Sequence, residues 1–285
     1  MRNHEVQRAY LGQWLSPSAP RALWYIDLRP LQKQQEVSVQ RETPESKSNG
    51  GYRCNANFAI HDYLYVPEGP EGRDDSLEED FAELESDMVN LCRAAINGNV
   101  HSTKPDVIKR ALMGCLSHCF RDAYGWQHIT QESSSITHDE LVSKARSSLG
   151  LYEKRASGLA WSILWNLPVA LLTSDRPAWD LATRRDSEHT EIFMPLGPNV
   201  MLMGRKPSGS HKAGELYFCQ GRAEHAKFCN QYNTTTVNRA RGWIVATSEQ
   251  QLHALLPEFT TEKYERRIST DKQVQFNPAT GEKLP

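Results

Sequence analysis

The chain contains none of the short motifs that announce the commonest cofactor and hydrolase chemistries. It has no GxGxxG or GxxxxGK[ST] glycine-rich phosphate loop, no HExxH pair and no GxSxG elbow, so nucleotide binding by the standard loops, zincin chemistry and an α/β-hydrolase nucleophile have no support. Long apolar runs are missing too. The longest, Leu159 to Leu172, is interrupted by Asn166 and Pro168 and falls short of the roughly 20 apolar residues that a membrane-spanning helix needs. Residues Met1 to Gln7 are polar and carry no apolar leader core, which points to a cytoplasmic protein. Cysteine is sparse, with six residues at positions 54, 92, 115, 119, 219 and 229. That scatter fits reduced thiols better than a disulfide framework. Cys115, His118 and Cys119 fall within about one helical turn and no second pair follows, so a zinc site is not expected. An excess of one charge is absent as well. The 33 Lys and Arg residues nearly balance 35 Asp and Glu residues, for a formal net charge of -2. Nucleic acid is therefore expected as a partner only through a local basic groove, and a membrane is not expected.

What is present is a polar globular composition, 39% apolar and 24% charged, over 285 residues. This suits one α+β domain over residues 1–258 and a polar extended tail over 259–285. The spacing of Val6, Tyr10 and Trp14 predicts a helix over 3–15, and Leu23 to Leu28 reads as a strand. Residues 29–50 are rich in Gln, Glu, Ser and Lys and read as a mobile loop. Helices are expected over 77–97, 104–122, 138–148 and 151–166. Short apolar runs at Val169–Leu172, Glu191–Met194, Val200–Met203, Leu216–Phe218 and Trp243–Ala246 then read as strands, with a helix over 222–241 before the last. The expected fold is a helical first half packed on a small mixed or antiparallel sheet formed mainly by the second half.

Candidate chemistry gathers at a few positions. On the helix over 77–97, Leu77, Phe81, Leu84, Met88, Leu91, Cys92 and Ala95 share one face. Glu79, Asp80, Glu83, Asp87 and Arg93 take the opposite face. Glu78 and Glu85 lie seven residues apart on the flank of the apolar stripe. A carboxylate turned toward a core must be paired, hydrogen-bonded, metal-bound or protonated. These two are therefore either stripe-edge side chains with local partners or oxygen ligands delivered to a site. Thr173-Ser174-Asp175 ends an apolar segment and is stopped by Arg176-Pro177. Loops at strand ends are where sites tend to lie. Asp175 there suits a base, a metal ligand or an arginine anchor, and the competing reading is a local turn in which Ser174 and Asp175 bond nearby amides. His4, Gln7 and Arg8 share one side of the first helix, and His4 is the acid/base candidate among them. The segment Asn230 to Asn238 is rich in amides and hydroxyls that are mediocre helix formers, so tertiary contacts must hold it; a polar helix face buried against the sheet would fit, and a solvated helix is the default reading. If that face is buried, Arg222, Arg239 and Arg241 could reach an anion there.

Taken together, Asn3 to Trp14 followed by Leu23-Trp-Tyr-Ile-Asp27, the pairs Leu77-Glu78 and Leu84-Glu85, Thr173-Ser-Asp-Arg-Pro-Ala178, Phe193-Met-Pro-Leu-Gly-Pro198 and Asn233 to Ala240 resemble a family. It is the bacterial and fungal family called domain of unknown function 4238. Gln7 stands where that family usually has Pro, and Gly12 where it has Arg. The resemblance runs over residues 3–250 and implies that His4, Glu78, Glu85, Asp175 and Asn233 share a site. It implies no reaction.

From these residues the expected function is a metal-dependent hydrolase, phosphodiesterase- or nuclease-like, in a toxin or defence setting. Glu78, Glu85 and Asp175 would hold Mg²⁺ or Mn²⁺, His4 and Asp175 would act in catalysis, and Gln7, Arg8, Ser174, Asn233 and Arg239 would bind the ligand. Two readings compete with it. One is a non-catalytic ligand-binding or sensor module with a polar pocket. The other is a structural protein whose acids form buried salt bridges.

Overall fold

The computed structural model describes residues 5–16, 21–46, 52–53, 68–69, 72–73, 76–120, 149–180 and 191–272. The helices among them are α1 (Glu5–Leu11), α2 (Ser76–Ile96), α3 (Pro105–Phe120), α4 (149–158), α5 (Ala226–Arg239), α6 (Glu249–His253) and α7 (Thr261–Lys272). In the first part of the chain the strands are β1 (Leu23–Asp27), β2 (Val39–Glu42), β3 (Glu45–Ser46), β4 (Tyr52–Arg53), β5 (Glu68–Gly69) and β6 (Gly72–Arg73). The second part adds β7 (Ala160–Trp165), β8 (Thr173–Ser174), β9 (Trp179–Asp180), β10 (Glu191–Gly197), β11 (Val200–Arg205), β12 (Leu216–Gln220) and β13 (Trp243–Ala246).

The strands form an antiparallel four-stranded sheet, β2-β1-β13-β8, and a mixed five-stranded sheet, β12-β7-β11-β10-β9, in which only β12 and β7 run parallel. Two small ribbons, β3-β4 and β5-β6, accompany them. The fold is α+β, with helices dominating the first half and strands the second.

Both main sheets are covered on both faces, and strand alternation shows how. Trp243 and Val245 point into the core beneath α1 to α4, whereas Ile244 and Ala246 point into a second cluster beneath α5 to α7. Val200 and Leu202 join the first cluster, while Met201 and Met203 join a third one under α5. A strand buried on both faces reads as a continuous apolar run, and β10, β11 and β13 do. The α2 stripe behaves as its spacing requires. Phe81, Leu84, Met88, Leu91, Cys92 and Ala95 are buried, while Asp80, Glu83 and Arg93 are exposed. At Gly114, α3 crosses so close to α2 that a Cβ would collide with the Leu84 carbonyl.

Several sequence expectations need correction. Residues 151–166 were expected as one helix, but α4 ends at 158 and β7 follows. Trp161 and Ile163 turn to one face there, and β7 is hydrogen-bonded on both sides by β11 and β12. Residues 169–172 form no strand; the ladder contains Thr173 and Ser174 instead. The stretch 29–50 is not structureless, since residues 29–33 form a 3-10 turn around buried Leu31, and β2 joins the free edge of β1. An edge strand takes most of its stabilisation from backbone bonds, so a polar composition did not reveal it. The polar stretch after 258 is not simply extended, because it contains α7. That helix is anchored by buried Tyr264 and capped by Thr260, whose Oγ1 accepts the Lys263 N–H at 3.3 Å. The helix expected over 138–148 lies outside the described residues.

Candidate functional site

After β7 the chain leaves the five-stranded sheet, lends β8 to the edge of the four-stranded sheet, and returns as edge strand β9. Residues 166–180 thus form a strap joining the two sheets, with Thr173-Ser174-Asp175 in its middle. Side chains from distant elements hold the strap. The Asn233 amide of α5 brackets it, accepting from Leu172 N–H at 2.8 Å and donating to the Ala170 carbonyl at 2.9 Å. Gln251 of α6 donates to the same carbonyl at 3.1 Å. Trp14 Nε1 donates to the Leu171 carbonyl at 2.9 Å, and the Tyr232 hydroxyl donates to the Pro177 carbonyl at 2.9 Å.

Tyr10 ties α1 into this arrangement. Its hydroxyl donates to the Pro195 carbonyl at 2.9 Å and lies 2.9 Å from Thr173 Oγ1. With its single proton committed to Pro195, it accepts from Thr173. Burial pushes the Tyr10 hydroxyl well above its ordinary range, the Tyr232 hydroxyl adds to that, and the Thr173 bond opposes it. Tyr10 also stacks beside His118, with ring centroids 6.3 Å apart. The sequence marked Tyr10 only as part of an apolar stripe; nothing in its spacing distinguishes a buried hydroxyl from a buried ring.

The expected site residues divide into three groups. Ser174 is fully buried, and its Oγ accepts the Arg176 N–H at 3.1 Å, the local turn weighed from sequence. Asp175 is half-buried against Gly242, and its Oδ1 and Oδ2 accept the Arg241 N–H at 3.1 and 3.3 Å. The carboxylate therefore closes the gap between the end of α5 and the strap. Asn233 positions backbone. Glu85 is buried at 9% exposure in the helical layer, and Arg8 is half-buried on α1. His4 and the side chains of Gln7 and Glu78 lie outside the described residues, so their place in a shared site is not seen. Among the described residues no group of three His, Cys, Asp or Glu side chains is disposed to hold a metal ion.

The face of α5 turned to the strap is the feature that sequence spacing undervalued. Tyr232, Thr236 and Arg239 recur at i, i+4 and i+7 on one side of the helix. Trp179 lies over that face. Its ring stacks on Tyr232 at 4.2 Å and 14°, and the Arg239 guanidinium stands 6.0 Å from its centroid. Two polar atoms here are buried without hydrogen-bond partners: Trp179 Nε1, on a residue 6% exposed, and Thr236 Oγ1, on a residue 0% exposed. Each such group costs about 1–3 kcal/mol. Beyond the helix end, Arg241 is buried and caps α5, its Nη1 donating to the Asn238 and Ala240 carbonyls at 2.9 and 3.0 Å. Arg267 adds a bond to the Val237 carbonyl at 3.3 Å, and burial lowers its pKa. The α5 end thus carries the guanidinium groups of Arg239, over Trp179, and of Arg241, on the last carbonyls of the helix.

Sequence took the amide-rich helix as solvated by default, and its packing against Trp179 was not legible because Trp179 and Tyr232 lie 53 positions apart in the chain. No family model matches the chain, and neither does any curated protein or solved structure.

Proposed function

We propose that the protein is a ligand-binding module whose site lies where the strap meets α5, with Trp179, Thr236 and Arg239 as its recognition groups. One observation carries the reading: a buried indole N–H and a buried hydroxyl, both without partners, stand on the same helix–strap interface. Folded proteins rarely leave such groups unsatisfied, and those that remain call for an explanation in function or in bound molecules. The indole N–H can only donate, and Arg239 adds positive charge. Those two groups fit a small ligand with acceptor oxygens, of the phosphate or carboxylate type. Inorganic phosphate, a mononucleotide and citrate are suitable probes in a thermal-shift titration. At least one should raise the melting temperature of the native chain, while Trp179→Phe and Thr236→Val should each abolish that rise. If all three probes leave the melting temperature unchanged at millimolar concentration, an oxyanion site is ruled out.

The hydrolase reading keeps one specific support. The Tyr10–Thr173 bond draws α1 against the strand preceding Asp175, and α1 packs on α2, which carries Glu78 and Glu85. α1 thus contacts both of the other elements named by the family resemblance. A metal-dependent phosphodiesterase built on them requires that Mg²⁺ or Mn²⁺ raise the melting temperature and that Asp175→Asn remove the effect.

A further inference from the structure

The loop that carries the chain from β11 across the start of β7 to β12 closes on itself as a small hairpin at Ser208–His211, and it is a second feature, distinct from the α5 site. Every residue from Arg205 to Glu215 is exposed, yet the loop is built to one shape. Ser208 and His211 exchange backbone hydrogen bonds at 3.2 and 3.0 Å across a turn that Gly209 enters at φ 58°. The Tyr217 hydroxyl acts as a central post. It accepts the Lys212 N–H at 2.9 Å and lies 2.8 Å from the Ser210 carbonyl and 2.5 Å from Glu215 Oε2. His211 packs edge-on against the same ring, with centroids 4.3 Å apart. At its base, Gly214 N–H donates to the Leu159 carbonyl at 2.8 Å, which sets the loop against the end of α4.

Among the described residues, cations outnumber acids in this region. No acid occurs from Ile192 to Gly214, a stretch that contributes Arg205, Lys206, His211 and Lys212. The adjacent end of α4 adds Lys154 and Arg155. Glu215 is engaged by Tyr217 and by Lys212 at 4.0 Å, and Glu153 by Lys109 at 2.7 Å. Glu191 stands opposite Arg205 in the strand register. A chain with a net charge of -2 thus concentrates cations on one preordered projection.

We propose that this hairpin is a docking surface for the phosphodiester backbone of duplex nucleic acid. Two features favour a duplex over a single strand. Single-strand binders present aromatic platforms to unstacked bases, and both rings of the hairpin, Tyr217 and His211, are taken up with each other. The large aromatic exposed in this sheet, Trp165, is 41% exposed but ends β7, whereas the hairpin abuts its start. A rigid cationic tip suits sequence-independent phosphate contacts.

Fluorescence anisotropy with a fluorescein-labelled duplex DNA of mixed sequence, titrated with the full chain over a KCl series, tests this. Binding should weaken with salt, with a log–log slope of about -0.9 for each phosphate neutralised. The double variant Lys206→Glu/Lys212→Glu should lose at least about tenfold in affinity at low salt and flatten the slope by about two contacts. Lys227→Glu, an exposed lysine on α5, should match the native chain. The proposal is overturned if the duplex does not bind at low salt, if Lys227→Glu costs as much as the hairpin variant, or if phosphatidylserine vesicles bind through the hairpin and the duplex does not.

Discussion

Replacing Tyr10 by Phe removes one oxygen and leaves the ring packing intact, which makes it a clean probe of how α1 is fixed to the strap. The lost hydroxyl serves two buried partners, the Pro195 carbonyl and Thr173 Oγ1, each at 2.9 Å. Pro195 lies where β10 shifts register against β11, and β9 pairs only with Ile192 and Phe193. A buried acceptor left without a partner costs about 1–3 kcal/mol, and the Thr173 bond adds about 1 kcal/mol more. The variant should therefore lose about 2–4 kcal/mol, which for a chain of this size corresponds to a fall of roughly 4–16 °C in melting temperature. Differential scanning calorimetry of Tyr10→Phe, Thr173→Val and the double variant closes a cycle in which the two changes should be sub-additive by about 0.5–3 kcal/mol. Strict additivity, or a Tyr10→Phe loss below about 0.5 kcal/mol, would show that the hydroxyl is not the tie described here.

Three further outcomes follow from the packing and the buried thiol and hydroxyl. Gly114→Ala should cost at least about 1–3 kcal/mol, measured by urea denaturation, because its methyl group meets the Leu84 backbone, which cannot move aside as a side chain can. Asn233→Ala should cost about 2–3 kcal/mol in the same assay, since the Leu172 N–H loses its acceptor while the Ala170 carbonyl keeps Gln251. Burial pushes the Cys92 thiol from 9.0 up to about 12 and raises Tyr10 above its usual 10.0. The folded chain therefore holds protons that the unfolded chain releases. Stability should be complete below about pH 9 and decline as pH rises toward 12, and Cys92→Ala should make that decline shallower.

The sequence exposed most of the fold because its signals were local. The α2 stripe, the apolar runs of β10, β11 and β13, and the amide-rich α5 all carry their burial pattern in consecutive residues. Elements held by a partner elsewhere in the chain were not legible. β2 depends on pairing with β1, α7 on the burial of Tyr264, and β7 on two flanking strands. The same distinction governs the site. Ser174 could be read as a turn residue because its bond lies within the turn, whereas Asp175 accepts from Arg241, 66 positions away, and its local sequence carries no trace of that. Trp179 and Tyr10 gain their meaning from contacts across scores of residues, and spacing carries no trace of those.

The melting temperature of Thr236→Val tests the central claim most directly, without any need to know the ligand. Valine keeps the shape and removes a hydroxyl that is buried without a partner. If that hydroxyl is held ready for a bound molecule, the ligand-free variant should be more stable than the native chain by about 1–3 kcal/mol, a rise of roughly 2–4 °C for each kcal/mol. A fall in melting temperature would show that the fold already uses the Thr236 hydroxyl, and the site proposed on α5 would lose its basis.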